Sequence, residues 1–136
     1  MRIMGIDYGD SRVGVAMSDP MGWTAQGLET IAEKDCTKVV ERLVKIIKEY
    51  NVEKMIVGFP KNMNGTIGPR GERTLDFIKA LEQKVDIDII KWDERLTTVA
   101  AHKTLNETNV RGKKRKQVVD TVAAGYILQG YLDSLR

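Results

Sequence analysis

Apolar residues fall into short unbroken runs in the first part of the chain and into three- and four-residue spacings later. Arg2 to Asp7 and Arg12 to Ser18 predict two strands joined by a short glycine-containing turn, hence an antiparallel hairpin. After the Asp19-Pro20-Met21-Gly22 turn, Thr24 to Ile31 predicts a third strand. Trp23 and Gln26 lie near that turn, where exposure is one reading, with core packing the default expectation for Trp23. Val39, Val40, Leu43, Val44, Ile46, Ile47 and Tyr50 then recur at helical spacing, with Asp35 suited to the N-cap. Lys54 to Phe59 predicts a buried strand stopped by Pro60. Pro69 fits the first turn of a second helix carrying Leu75, Ile78 and Leu81. Asp88 to Trp92 predicts a fifth strand, with a helix expected from about Leu96 to Thr98 onward.

The final helix is expected from about Lys116 to Leu135. Val118, Val119, Val122, Ala123, Tyr126, Ile127, Gly130 and Tyr131 form its apolar arc. At 100° per residue Asp120 falls near Ile127 and Tyr131, just inside the edge of that arc. Asp is too short to reach solvent easily from such a position.

Three antiparallel strands followed by helix, strand, helix and strand predict an α/β fold with a mixed five-stranded sheet and helices packed against it. Each strand–helix–strand unit implies a right-handed parallel crossover. If the first strand pairs with the fourth and the fourth with the fifth, Asp7 and the Asp93-Glu94 pair both stand at carboxyl ends of parallel strands. Such ends are where α/β sheets place their ligands.

Composition narrows the chemistry. The 136 residues, 42% hydrophobic and 30% charged, suit one domain spanning 1–136. No apolar stretch is long enough for a membrane span, and Asp7 and Asp10 interrupt the N-terminal run, so neither a membrane anchor nor a signal peptide is expected. A cytoplasmic location follows as an expectation. The single cysteine, Cys36, excludes an internal disulfide and reads as an inert thiol beside Asp35. With one histidine, His102, a histidine-rich zinc site is excluded. Catalysis would rest on carboxylates, lysines, arginines and hydroxyls.

Each acid has an ordinary explanation. Asp7 suits a hairpin turn, and Asp93 or Glu94 suits the start of a helix, where the dipole favours a carboxylate. Asp120 on a packed helix face is harder to dismiss. If Asp7, Asp93-Glu94 and Asp120 converge, they form a hard-oxygen site suited to Mg²⁺ or Mn²⁺. Two such ions activate water and stabilise the leaving oxygen in phosphodiester cleavage.

The net charge of +3 and pI near 9.0 hint only mildly at a polyanionic partner. Distribution says more. Arg111-Gly112-Lys113-Lys114-Arg115-Lys116 is the densest basic run, lying between two predicted helices. A solvated loop is one reading, and relief of its self-repulsion by a phosphate backbone is the other. The glycine-rich loop from Lys61 to Gly71, with Lys61, Arg70 and Arg73, lacks P-loop spacing. It reads equally as a surface loop or as a phosphate-holding one. Arg12 and Arg95, beside the candidate acids, complete the proposed nucleic-acid contacts.

Taken together, Gly5-Ile6-Asp7-Tyr8-Gly9 with Arg12-Val13-Gly14-Val15-Ala16, Val57-Gly58-Phe59-Pro60 with Asn64-Gly65, Asp93-Glu94-Arg95-Leu96-Thr97-Thr98, and Asp120 with Ala123-Ala124 and Ile127-Leu128 resemble the YqgF/RuvX family along essentially the whole chain. The resemblance implies an RNase H-like fold and an acidic triad at Asp7, Glu94 and Asp120, with Asp93 competing for the middle place. Resolvase relatives carry that middle acid at the end of the fourth strand, where this chain has Gly58-Phe59-Pro60. The resemblance further implies a nuclease maturing the 5′ end of pre-16S rRNA in ribosome biogenesis. Resolution of Holliday junctions, or branched DNA generally, is the alternative, and a two-fold symmetric junction would favour a homodimer.

Two further readings belong to other classes. The Asp-x-Gly turn also resembles the phosphate turn of actin-like ATPases and sugar kinases, but the chain is too short for the two lobes these need. A non-catalytic nucleic-acid-binding module, its acids serving as caps and turns, predicts salt-sensitive binding without metal-dependent turnover.

Overall fold

The computed structural model describes residues 2–9, 11–59, 68–93 and 112–135, and in the last stretch the side chains from residue 120 onward. Strands β1 (Arg2–Tyr8), β2 (Val13–Ser18) and β3 (Ala25–Ile31) are followed by α1 (Cys36–Tyr50), β4 (Val52–Phe59), α2 (Pro69–Glu82), β5 (Asp88–Asp93) and α3 (Gly112–Ser134). The sheet order is β3-β2-β1-β4-β5. β1 pairs antiparallel with β2 and parallel with β4, and β4 pairs parallel with β5. The expected mixed sheet is therefore present, with the parallel strands side by side. The anticipated helix near Leu96, with His102, and most of the Lys61 to Gly71 loop lie outside the described residues.

Strand alternation divides the side chains between two layers. Met4, Ile6, Val13, Val15, Met17, Met55 and Val57 pack on one face with Val39, Val40, Leu43, Ile46 and Ile47 of α1 and Phe77, Ile78 and Leu81 of α2. Ile3, Ala16 and Ile56 pack on the other face with Ala124, Ile127, Leu128, Tyr131 and Leu132 of α3. A sheet covered on both faces explains why β2 is buried at every position and why its sequence reads as a continuous apolar run.

The helix ends follow local chemistry. Asp35 caps α1 by accepting a 2.9 Å hydrogen bond from the Thr37 N–H. Asn51 closes that helix in the left-handed region at φ 53°, its N–H bonded to the Ile47 carbonyl. α3 starts at Gly112, earlier than anticipated, so the basic stretch after Arg111 forms the first turns of a helix rather than a loop. Lys and Arg are good helix formers, which outweighs their unfavourable position near the positive end of the dipole.

Two expectations about burial are corrected. Trp23 is exposed rather than packed in the core. It sits in the turn after β2, where the Asp19 carboxylate accepts from the Trp23 N–H at 2.7 Å and the Thr24 N–H at 3.0 Å. The Thr24 amide foremost, with help from that of Trp23, holds the Asp19 carboxyl below its ordinary value. The buried stripe of α3 runs through Ala123, Ala124, Ile127, Leu128, Tyr131 and Leu132, while Tyr126 is exposed. Asp120 is one turn before Ala124, so it lies on the stripe itself and not at its edge.

Gly125, on the other side of α3, has no atom within 4 Å of where a Cβ would stand. Gly125→Ala is expected to stabilise the fold by about 0.5–1 kcal/mol, because alanine orders a helix interior at lower entropic cost. Urea denaturation checks this.

Candidate active site at the end of the first strand

The site begins with a pairing between two adjacent strands. Asp7, near the end of β1, lies directly opposite Gly14 of β2. Directly opposite residues of an antiparallel pair point to the same face, with Cβ atoms about 4.5–5.5 Å apart. Gly5 and Asp7 alternate with Met4 and Ile6, so Asp7 shares the face covered by α3.

α3 comes down on this face where strand glycines leave room. A Cβ on Gly14 would stand 2.0 Å from the Asp120 carbonyl oxygen and 3.0 Å from the Asp120 Cβ. A Cβ on Gly5 would stand 2.7 Å from the Leu128 Cβ and 2.8 Å from the Ala124 carbonyl oxygen. These two contacts seat the Asp120–Ala124–Leu128 stripe on the sheet. Adding the 3.0 Å Gly14 contact to the cross-strand spacing puts the Asp7 and Asp120 Cβ atoms within roughly 8.5 Å of each other. Asp7 and Asp120, 113 positions apart in the numbering, are thus brought together.

Arg12 closes the group. The Gly9 N–H donates to the Arg12 carbonyl at 2.9 Å, which fixes the β1–β2 turn. From there the Arg12 Nε donates to the Asp120 Oδ2 at 2.7 Å. Tyr8, on the opposite face, stacks on Phe77 of α2 with ring centroids 4.3 Å apart, holding the end of β1 from behind.

The end of β5 is arranged differently. Lys91 lies over the Phe59 ring at 5.7 Å, and Ile89 packs with α1 and α2. Ile90 and Trp92 belong to the α3 side, where Trp92 meets Tyr131 edge-on at 6.0 Å. Alternation therefore turns Asp93 toward the α1–α2 face, away from Asp7. The register also puts Asp7 level with Gly58 and Trp92, two strands or about 9.5 Å from β5. The structure does not bring Asp93 to the Asp7–Asp120 pair.

Glu94, Lys61, Arg95 and Arg111 lie outside the described residues, as do the side chains of Lys113, Lys114, Arg115 and Lys116. Arg70 is exposed on the first turn of α2. Among the described residues no three His, Cys, Asp or Glu side chains gather as a metal site. Asp7 and Asp120 lie on the same side of the sheet around Gly14, and carboxylate oxygens suit a hard divalent cation.

Sequence reasoning placed Arg12 among phosphate contacts and did not foresee its pairing with Asp120. No local signal links residues 108 positions apart. The role of Gly14 was more accessible. Gly5, Gly14 and Ala16 are small residues on a single face of neighbouring strands, which marks where another backbone presses close.

Comparison with known proteins identifies the family and the fold. The family model of RuvX, described as Holliday junction resolvase, matches residues 1–134. A protein of Ruminiclostridium cellulolyticum named "Putative pre-16S rRNA nuclease" is 61% identical over 136 residues, covering 99% of this chain and 96% of its own. One of the same name from Acetivibrio thermocellus is 59% identical, covering 98% and 96%. Among solved structures, Thermus thermophilus RuvC in complex with a Holliday junction substrate aligns with a TM-score of 0.63 at 12% identity, covering 99% of this chain and 96% of that one. The fowlpox virus resolvase bound to Holliday junction DNA aligns at 0.56 and 14%, covering 99% of each chain. At these identities the likeness is one of fold, and with the observed sheet order it bears out the RNase H-like architecture.

Proposed function

The chain belongs to the RuvX family, and from that premise we propose that it is a metal-dependent nuclease, one RNase H-like domain over 1–136, maturing the 5′ end of pre-16S rRNA in the cytoplasm. The observation that carries this reading is the seating of Asp120 on Gly14, directly beside Asp7. Two carboxylates on one packed face favour cationic charge beyond the single guanidinium of Arg12. The names borne by relatives more than half identical to this chain support the choice of RNA.

Asp7 and Asp120 would hold Mg²⁺ or Mn²⁺. Glu94 is the preferred third ligand, since Asp93 is turned to the other face. Bound divalent metal supplies water activation and charge stabilisation at the phosphodiester. The chain's own contribution is placement: the Gly14 seat fixes one carboxylate, and the end of β1, backed by the Tyr8–Phe77 stack, fixes the other. Arg70, Arg95, Lys61 and the basic start of α3 from Lys113 to Lys116, with Arg111, would contact flanking phosphates. Among the described residues no helix is long and apolar enough to cross a membrane.

Purified protein is incubated with a 5′-extended 16S precursor and with a four-way DNA junction, in Mn²⁺, Mg²⁺ or EDTA. The expected result is metal-dependent removal of the 5′ extension and none in EDTA. The family's description favours branched DNA as the second reading, and paired nicks in the junction with an uncut precursor would select it. Salt-sensitive binding without cleavage of either substrate would leave only a binding module.

A further inference from the structure

The Arg12–Asp120 ion pair occupies a carboxylate that the proposed metal site needs. We propose that Arg12 is an exchangeable counter-ion: it neutralises Asp120 while no divalent cation is bound, and turns onto a substrate phosphate when a cation takes that carboxylate. This rests on the nuclease reading and adds to it an order of events, with metal binding releasing a phosphate contact.

Three features point this way. The first concerns which partner can move. Asp120 is seated by its backbone on Gly14, and its side chain is 15% exposed, whereas that of Arg12 is 37% exposed at the rim of the site. The Arg12 backbone is held by the Gly9 amide, but its long side chain has several rotatable bonds. Exchange therefore moves the arginine and leaves the acid in place.

The second is the form of the pair. Arg12 meets Asp120 through Nε at one oxygen, whereas Arg42 grips Glu29 through both Nε and Nη2, at 3.0 and 2.6 Å. The two-point fork is the stronger geometry, and a single contact is the easier to give up. The third is chemical. A guanidinium matches phosphate as well as it matches carboxylate, so Arg12 has somewhere to go once nucleic acid lies across the site.

The test compares two variants that remove the same charge. Asp7→Asn and Asp120→Asn each delete one negative charge, but only Asp120→Asn releases Arg12. Binding of a fluorescein-labelled RNA hairpin with a single-stranded 5′ extension is followed by anisotropy in EDTA. Asp120→Asn is expected to bind about fivefold more tightly than Asp7→Asn, the lower end of ordinary coupling between sites. Adding Arg12→Gln to Asp120→Asn should remove that gain, and adding Arg12→Lys, which keeps the charge, should retain part of it. Equal affinities for the two acid variants overturn the exchange.

Calorimetric titration with Mn²⁺ in the absence of RNA gives an independent reading. Arg12→Gln is expected to bind Mn²⁺ several-fold more tightly than wild type, because the competing cation is gone. Weaker or unchanged binding means that Arg12 only braces Asp120, and the exchange is wrong. Mn²⁺ binding that requires Asp7 but ignores Arg12 overturns the exchange alone. A wild-type protein that binds no Mn²⁺ removes both the exchange and the nuclease reading.

Discussion

Asp7→Asn is expected to lower metal-dependent cleavage by about a thousandfold, or roughly 4 kcal/mol of transition-state stabilisation. The substitution keeps the shape of the side chain and removes its charge, the property a divalent cation requires. Asp7 is half-buried at the end of β1 rather than locked in the core. Its neighbour Asp120 is already paired with Arg12, so loss of the Asp7 charge leaves that ion pair in place. Stability in urea should therefore stay within about 1 kcal/mol of wild type. Single-turnover cleavage of the 5′-extended precursor in Mn²⁺, paired with denaturation of the same preparation, separates loss of chemistry from loss of fold. Asp93→Asn is the internal control: a residue turned to the α1–α2 face should lose less than about threefold, a change of under 1 kcal/mol. Cleavage by Asp7→Asn at the wild-type rate would take Asp7 out of the mechanism.

The contrast between Asp7 and Asp93 shows how far the sequence could be read. Both are acids at the carboxyl ends of parallel strands, and sequence alone treated them as members of one group. The face each presents depends on where alternation stands when the strand ends. That requires the register of β1 against β4 and of β4 against β5, and register comes from pairing partners distant in sequence. The sheet itself was legible because its signals are local: a glycine turn between two apolar runs, Pro60 after Phe59, Asp35 before a helical period.

α3 shows the opposite case. Valine, alanine, tyrosine, isoleucine and leucine are spread around much of its circumference, so periodicity could not choose the buried side. Its arc held Ala123, Ile127 and Tyr131, which the sheet accepted, but also Val122 and Tyr126, and it lacked the buried Ala124 and Leu128. The deciding information was in the strands. Gly5 and Gly14 leave hollows only on one face, and the helix backbone fills them. Asp120 thereby comes to rest on the buried stripe, where a carboxylate has a reason to find a cation.

That dependence makes Gly14→Ala the most damaging single-methyl change in the site. The new Cβ would lie 2.0 Å from the Asp120 carbonyl oxygen and 2.4 Å from its carbonyl carbon. Both are backbone atoms of a helix interior, so no rotamer change can relieve the overlap. α3 would have to lift by more than an ångström, or β2 retreat into the face packed against α1 and α2. Lifting α3 opens the contacts of Ala124 and Leu128 with Gly5. Overpacking at a side chain costs about 1–3 kcal/mol, and a clash of backbone on sheet should reach or exceed the upper figure. The loss of stability in urea is accordingly expected at about 3 kcal/mol or more, against a gain for Gly125→Ala on the open side of the same helix. Whatever fraction remains folded should bind Mn²⁺ more weakly than wild type, because the methyl group separates Asp120 from Asp7. Wild-type stability in Gly14→Ala would mean that α3 does not rest on Gly14, and the basis for bringing the two acids together would be lost.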